Sequence, residues 1–446
     1  MLQQARRRVF DRSNLTPVEA YRALVRSGHG AILESAPLGG SVAQHSLIGF
    51  DYADARIWDG TANMIDSVRR FVGAWSPLHV PEPFGGGAIL AFAYDAARPF
   101  AGLAERTRDS AAFPAAYVAI PATWCIFDHI AESVAILGFA HPGRDVEQTR
   151  RRVAECHARL GQNTRSPKFE FEVGPVRTSL SEASFLRAVR RVKEYIADGS
   201  VYQLQLGIRY DAPFFGDPLT LYERVRSRNP SPYMFFINTP FGAALGASPE
   251  FLVRLSGRTA LLRPLAGTRP RGADQRTDAA YATELANDEK EIAEHLMLVD
   301  LGRNDLGSVC DFGGVRVDDL MKIERYSHVM HLASTITGTL REGLDGLDLF
   351  RATFPAGTVT GTPKVRAMQL IDGLEPVARN FYAGSIGLLH FDGTFDSCIA
   401  LRGAFVREDR IHWQASAGIV ADSVPEREHA EVVQKAAILR EALRCA

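Results

Sequence analysis

Long apolar runs are missing from this chain of 446 residues: no segment approaches the roughly 20 apolar residues that a membrane-spanning helix needs. Cysteine is sparse and scattered. The five thiols (Cys125, Cys156, Cys310, Cys398, Cys445) form no CxxC pair, and an odd, dispersed set reads as reduced thiols in a cytoplasmic protein. Charge of one sign is lacking too. A formal net charge of -1 provides no basic field for nucleic acid or an anionic membrane. The opening MLQQARRRVF has basic residues but no apolar stretch behind them, so no signal peptide is expected. There is no internal repeat, no long low-complexity tract, and no GxGxxG or GxxxxGK[ST] after a strand to support a nucleotide fold. What remains is ordinary globular composition, 46% hydrophobic and 23% charged, long enough for one large core or two coupled ones.

Short strand-like runs (residues 87–94, 116–127 and 133–139) alternate in the first part with a helical segment at 17–25 and a polar helix at 145–160. The Gly, Pro and Ser content of GQNTRSPKFEFEVGP marks a linker near 161–178. This divides the chain into an N-terminal region, 1–165, and a catalytic region, 179–446. Ser179 and Glu182 fit a capping box, followed by Phe185, Val189, Val192 and Ile196 at helical spacing until Gly199. VYQLQLGIRY then alternates with period two, placing Gln203 and Gln205 opposite Leu204, Leu206 and Ile208. Spacing alone favours a solvated glutamine face over a polar cavity. Strands and helices come in blocks, which predicts α+β with antiparallel sheets.

Three stretches could carry chemistry. In NDEKEIAEHLMLVDLGRNDLG, Ile292, Leu296 and Val299 form an apolar stripe, with Glu291, Glu294, His295 and Leu298 on a different face. Glu294 could bind a hard cation, although a solvated acidic face is the commoner outcome of such spacing. In VPEREHAEVVQKAAILREAL, Val432, Ala436, Leu439 and Leu443 form the core stripe, and Glu428, Glu431 and Lys435 share another face. A Glu431–Lys435 pair is ordinarily a surface salt bridge worth only about 0.3–0.5 kcal/mol. The third is a Gly-rich set, LAGTRPRG, AGTVTGTPKVRAM and ASAGIVADS. Its backbone N–H groups, with Arg269, Lys364 and Arg402 nearby, suit a small polyanion.

The runs DEKEIAEHLMLVDLGRNDLG, IERYSHVMHLAS, FPAGTVTGTPKVRAMQLID and AGIVADSVPERE closely resemble the chorismate-utilising family that includes anthranilate, aminodeoxychorismate, isochorismate and salicylate synthases. The resemblance is dense from about Ser179 to Leu443. It implies two large antiparallel sheets packed as a sandwich with helices outside. It implies Mg2+ on Glu294 and Glu431, binding the ring carboxylate of chorismate with Lys435 nearby. Tyr382, Arg402, Gly267, Thr268, Gln203, Ser416, Ala417 and Gly418 match substrate-holding positions. Glu250 matches the acid that protonates the departing C4 hydroxyl, and His331 the residue assigned to proton transfer in pyruvate elimination; taken alone, a helical histidine reads as a core or cap residue. Thr358 and Lys435 complete the catalytic candidates.

Two positions select the branch. Gln203 stands where the water-activating lysine of isochorismate and salicylate synthases is found, and Ala266 where aminodeoxychorismate synthases carry a nucleophilic lysine. What remains is ammonia attacking C2, followed by aromatisation to anthranilate for tryptophan biosynthesis. No cysteine sits in a GxCxG elbow, so a separate glutamine amidotransferase subunit is implied as the ammonia source. ILES and NPSPYMFF resemble the segments of a tryptophan feedback pocket, which Glu34, Ser35, Pro232, Tyr233 and Met234 would line. The chain departs from the family pattern at Thr362, Ser416 and Gly207, and GSVAQHSLIGF lacks a usual arginine. The rival readings are an enzyme that stops after ammonia addition, an aminodeoxychorismate synthase using another route, and a silent tryptophan-binding paralogue.

Overall fold

The computed structural model describes residues 2–11, 15–25, 28–36, 45–77, 84–104, 111–161, 170–325 and 329–444, the 3–11 segment by its backbone alone. Among them are 21 strands, all paired antiparallel, and ten α-helices. Two long strands, His45–Trp58 and Ala116–Asp128, pair along their lengths and form a spine. From the first, one arm of sheet runs through Gly30–Glu34, Tyr233–Thr239, Gly242–Ser248, Gly403–Arg407, Arg410–Ile419 and Gln203–Gly216. From the second, another runs through Gly87–Phe92, Ser385–His390, Phe395–Ile399, Phe251–Ser256, Thr259–Leu262 and Val329–Thr339. The expected α+β sandwich is present, with its two sheets hydrogen-bonded into one network through the spine.

Strand alternation builds two cores from one sheet. Phe235, Ile237, Ala244 and Phe405 of the first arm join Leu252, Val253, Ile386 and Cys398 of the second in an inner core. Their chain neighbours Met234, Phe236, Leu245 and Val406 point the other way into an outer core, which also holds Phe185, Val189 and Val192 of helix Glu182–Ala197, Leu221, Tyr222 and Val225 of helix Pro218–Arg228, and Val432, Ala436 and Leu439 of helix Pro425–Leu443. A strand covered on both faces cannot alternate apolar with polar, which is why these segments read as continuous apolar runs.

Several local expectations are corrected. The cap of helix Glu182–Ala197 is Ser181, whose Oγ accepts from Ser184 N, while Ser179 Oγ accepts from Arg209 N and ties the preceding segment to a strand. Part of the expected linker is strand: Phe171–Val173 and Arg177–Thr178 pair with Gln203–Gly216 because Phe171 is buried in the outer core. Residues 162–169 of that linker, 40–44 of GSVAQHSLIGF and Cys445 lie outside the described residues. On helix Glu289–Gly307 the buried face is His295, Leu298, Val299, Gly302 and Leu306, and Leu296 is 41% exposed. Buried His295 bonds Ser334 Oγ through Nε2 and so joins the apolar face. The described cysteines are free, buried thiols, and among the described residues no helix is long and apolar enough to cross a membrane.

Candidate active site

The site is built on strand Gln203–Gly216, whose glutamines are buried rather than solvated: Gln203 is 1% exposed. It pairs with Arg410–Ile419, placing Gly418 opposite Gln205 and Ser416 opposite Gly207. A methyl at Gly418 would sit 2.7 Å from Gln203 Nε2 and 3.0 Å from Gln205 Nε2, so glycine lets the two amides close over the strand. Residues 415–418 are therefore strand, not loop, and the Ala417 side chain points away into the outer core. Gln203 Nε2 donates to Glu294 Oε1 at 3.0 Å, bringing helix Glu289–Gly307 onto the strand.

Glu294 is half-buried, not the solvated residue that its spacing favours. Burial, then the neighbouring Glu291 and Glu431, push its carboxyl pKa up. Glu428 is raised by burial. Lys435 Nζ lies 2.6 Å from Glu431 Oε1 and donates to Ser416 O at 3.1 Å, so the lysine joins the carboxylates to the strand. Among the described residues no group of three or more His, Cys, Asp or Glu side chains gathers as a metal site. The donor chemistry still fits Mg2+, which commonly takes one or two carboxylates and fills the remaining positions with water and ligand oxygens.

Glu250 follows strand Gly242–Ser248 and lines a cleft of about 420 Å3 with Leu252, Leu262, Leu298, Leu301 and Thr358. Burial raises its pKa to about 7, against the opposing influence of Thr358, Lys435 and Arg402. The Thr358 hydroxyl approaches the carboxyl without completing a hydrogen bond of normal geometry. Arg402 is held at φ 47°, and burial lowers its pKa. His331 lies on strand Val329–Thr339, not on a helix, opposite Thr268. Its Nδ1 is 2.9 Å from Gly267 O and 3.1 Å from Thr268 Oγ1. A carbonyl can only accept, so in the neutral ring Nδ1 carries the hydrogen and Nε2 holds the lone pair. Burial, aided by Arg402, keeps the His331 pKa low and favours that neutral ring.

Tyr382 Oη lies 2.7 Å from Ser416 Oγ, which donates to Gln205 Oε1 at 2.8 Å. The other two expected cations do not join the site. Arg269 is held by Glu284, Asp288 and Glu291, and Lys364 by Asp305. Only Arg402 of that trio faces Glu250 and His331.

Residues 40–441 match the family model for chorismate binding enzymes. The chain belongs to the chorismate-binding enzyme family. It is 39% identical to anthranilate synthase component 1 of Streptomyces coelicolor, covering 97% of this chain and 87% of that protein. It is 36% identical to aminodeoxychorismate synthase component 1 of Bacillus subtilis, covering 93% and 92%. The crystal structure of anthranilate synthase component I from Streptococcus pneumoniae superposes with a TM-score of 0.82 at 31% identity, covering 96% and 98% of the two chains.

Beside the site of this chorismate-binding enzyme, strands Gly30–Glu34 and Tyr233–Thr239 bring together the segments singled out for feedback, with Glu34 opposite Met234. Glu34 and Met234 are buried on the helix side, and Arg226 Nε reaches Glu34 Oε2 at 2.5 Å. The Tyr222 hydroxyl approaches the Glu34 carboxyl without completing a hydrogen bond of normal geometry. Tyr233 takes the opposite face and donates to Asp396 Oδ1 at 2.6 Å. Ser35 and Pro232 follow and precede these strands, and both are half-buried.

Sequence reasoning missed the pair beneath the site, Glu375 and Arg379. They are four residues apart and 2% exposed each. The only local signal was that spacing, which usually marks a surface pair on a helix. Here helix Lys364–Leu374 has already ended.

Proposed function

We propose that this chain adds ammonia to C2 of chorismate and then releases pyruvate to form anthranilate, with Mg2+ held by Glu294 and Glu431 and ammonia supplied by a separate glutaminase subunit. The observation that carries this is Gln203. An uncharged amide, bonded to Glu294 and buried beneath Gly418, has no base with which to activate water. Ala266, on strand Leu265–Pro270, likewise offers no amine for a covalent route.

Bound Mg2+ would polarise and anchor the ring carboxylate. The remaining chemistry falls to the chain's own groups. Glu250, protonated near neutral pH, gives its proton to the C4 oxygen as ammonia bonds to C2, the ring double bonds shift and the C4–O bond breaks, releasing water. Lys435, Tyr382, Ser416, Gly418, Gly267 and Thr268 line the bound ring, and Arg402 offers its charge to the second carboxylate. His331 Nε2 then removes the C2 proton, the C3–O bond breaks, the ring becomes aromatic, and the enol portion leaves as pyruvate. The pairing of Gly30–Glu34 with Tyr233–Thr239, which joins the two segments, supports a second, regulatory site for tryptophan near Glu34, Ser35, Pro232, Tyr233 and Met234.

The test incubates the chain with chorismate, Mg2+ and an ammonium salt, following anthranilate fluorescence and pyruvate. Equal anthranilate and pyruvate are expected. An aminated product without pyruvate would overturn the reading in favour of an enzyme that stops early, and a para-amino product would favour aminodeoxychorismate synthesis. Tryptophan added to the same assay should depress the rate; a flat response removes the regulatory site.

A further inference from the structure

Directly beneath the substrate-facing strand lies an ion pair with almost no solvent contact. Arg379 Nε and Nη2 hold both oxygens of Glu375, at 3.0 and 2.7 Å. The guanidinium also donates to Val359 O and, at 2.9 Å, to Gln205 O. Glu375 accepts from Gly207 N at 2.9 Å and from Gln414 Nε2 at 3.2 Å. Both oxygens of the carboxylate are thus engaged from three sides. The guanidinium lies 4.8 Å from the Tyr94 ring centre and 5.8 Å from that of Tyr382.

These partners belong to four separate parts of the site. Val359 ends the turn Gly357–Val359 that carries Thr358 to Glu250. Gln205 bonds Ser416, Gln414 lies two residues before Ser416 on its strand, and Tyr382 reaches the same serine. Burying two charges is a costly way to gain stability, and an apolar pair could fill the space. A planar fork that reaches several carbonyls from one fixed centre does what no apolar pair can. Gly207, where this chain departs from the family pattern, borders the pair: a methyl there would lie 2.5 Å from Gln414 Nε2 and 3.1 Å from Glu375 Oε1.

We infer that the Glu375–Arg379 pair is the positioning element of this active site, fixing the Thr358 turn, Gln205, Gln414 and Tyr382 relative to one another. It touches no substrate. The inference rests on the chorismate reading, and its test follows chorismate loss so that the identity of the product does not enter.

The variants are Arg379→Lys, which keeps the charge but loses the fork, and Gly207→Ala, which presses on Glu375 and Gln414 from the strand side. Each is assayed beside wild type for melting, kcat, KM and the pH profile of kcat. An ångström of misplacement can cost about a hundredfold, so kcat should fall roughly tenfold to a hundredfold with KM little changed. Thr358, Lys435 and Arg402 are the groups that favour ionised Glu250. Loosening the Thr358 turn should therefore move the alkaline limb of kcat to higher pH. If the variants that fold keep wild-type kcat with an unshifted limb, whatever their melting temperatures, the pair is a structural strut and the inference is wrong. Wild-type product analysis separately judges the functional reading, since a different product would leave these rate comparisons intact.

Discussion

At the residue scale, Glu250 decides how the site responds to pH. Its pKa of about 7 lies well above the usual carboxylate range because burial disfavours the charged form. The acid is useful only while protonated, so the step it drives is fully supported below that pKa and is lost as pH rises through it. The kcat profile should therefore fall near neutrality. Glu250→Gln, which cannot give up a proton, should lower kcat by about a hundredfold or more and abolish that limb. A Gln variant with wild-type kcat would remove the acid role. The same scale shows why some site residues were legible and others were not. The core stripe of Pro425–Leu443 and the Glu431–Lys435 ion pair follow from helical spacing, and the stripe is buried as expected, whereas the site roles of Glu431 and Lys435 came only through the family resemblance. Glu294 and Gln203 were legible only through long family-specific runs, since their own spacing favoured solvent. Glu375 and Arg379 show only an i, i+4 spacing that reads as a surface pair, because what defines them is contact with Val359, Gln205 and Gly207 on other elements.

At the element scale, some misread details came from ends and faces, and others, such as His331 and residues 415–418, from the element type itself. The helix at 182–197 and the strands at 87–92, 116–128 and 133–140 lie where periodicity placed them. The cap shifted from Ser179 to Ser181 because two serines compete for the same role and the strand takes the first. Ser181→Ala should thus cost about 1 kcal/mol in a denaturant melt, as lost caps do. Ser179→Ala should instead weaken the anchoring of Arg209 and leave the helix intact. Circular dichroism on both variants checks the assignment, and a greater loss of helix in Ser179→Ala would reverse it. His331 was misplaced on a helix for a related reason. HVMHLAS contains an apolar run that fits either period, and the pairing with Ala266, Thr268 and Arg269 that makes it a strand is tertiary.

At the scale of the whole molecule, the division at 165 and 179 is a division of sequence that the sheets cross repeatedly. Strand Gly30–Glu34 pairs with Tyr233–Thr239, and Gly87–Phe92 with Ser385–His390. A 179–446 fragment would retain Glu250, Glu294, His331, Glu431 and Lys435 yet expose the inner-core surface that N-terminal residues cover and leave Tyr233–Thr239 and Ser385–His390 each short of one neighbouring strand. It should fail to melt cooperatively and should bind hydrophobic dyes. A fragment that melts sharply and consumes chorismate would show that the N-terminal region is dispensable to the fold.

The pairing of Gly87–Phe92 with Ser385–His390 also sets a clock during synthesis. The first of these strands leaves the ribosome long before its partner, which follows roughly 300 residues later, so at about 5–20 residues per second it waits on the order of 15–60 seconds. Throughout that interval the 87–92 strand has one edge without its hydrogen-bonded neighbour. Slowing translation prolongs the wait, so yield of folded protein should depend on chaperone supply and growth temperature more than final stability alone would suggest.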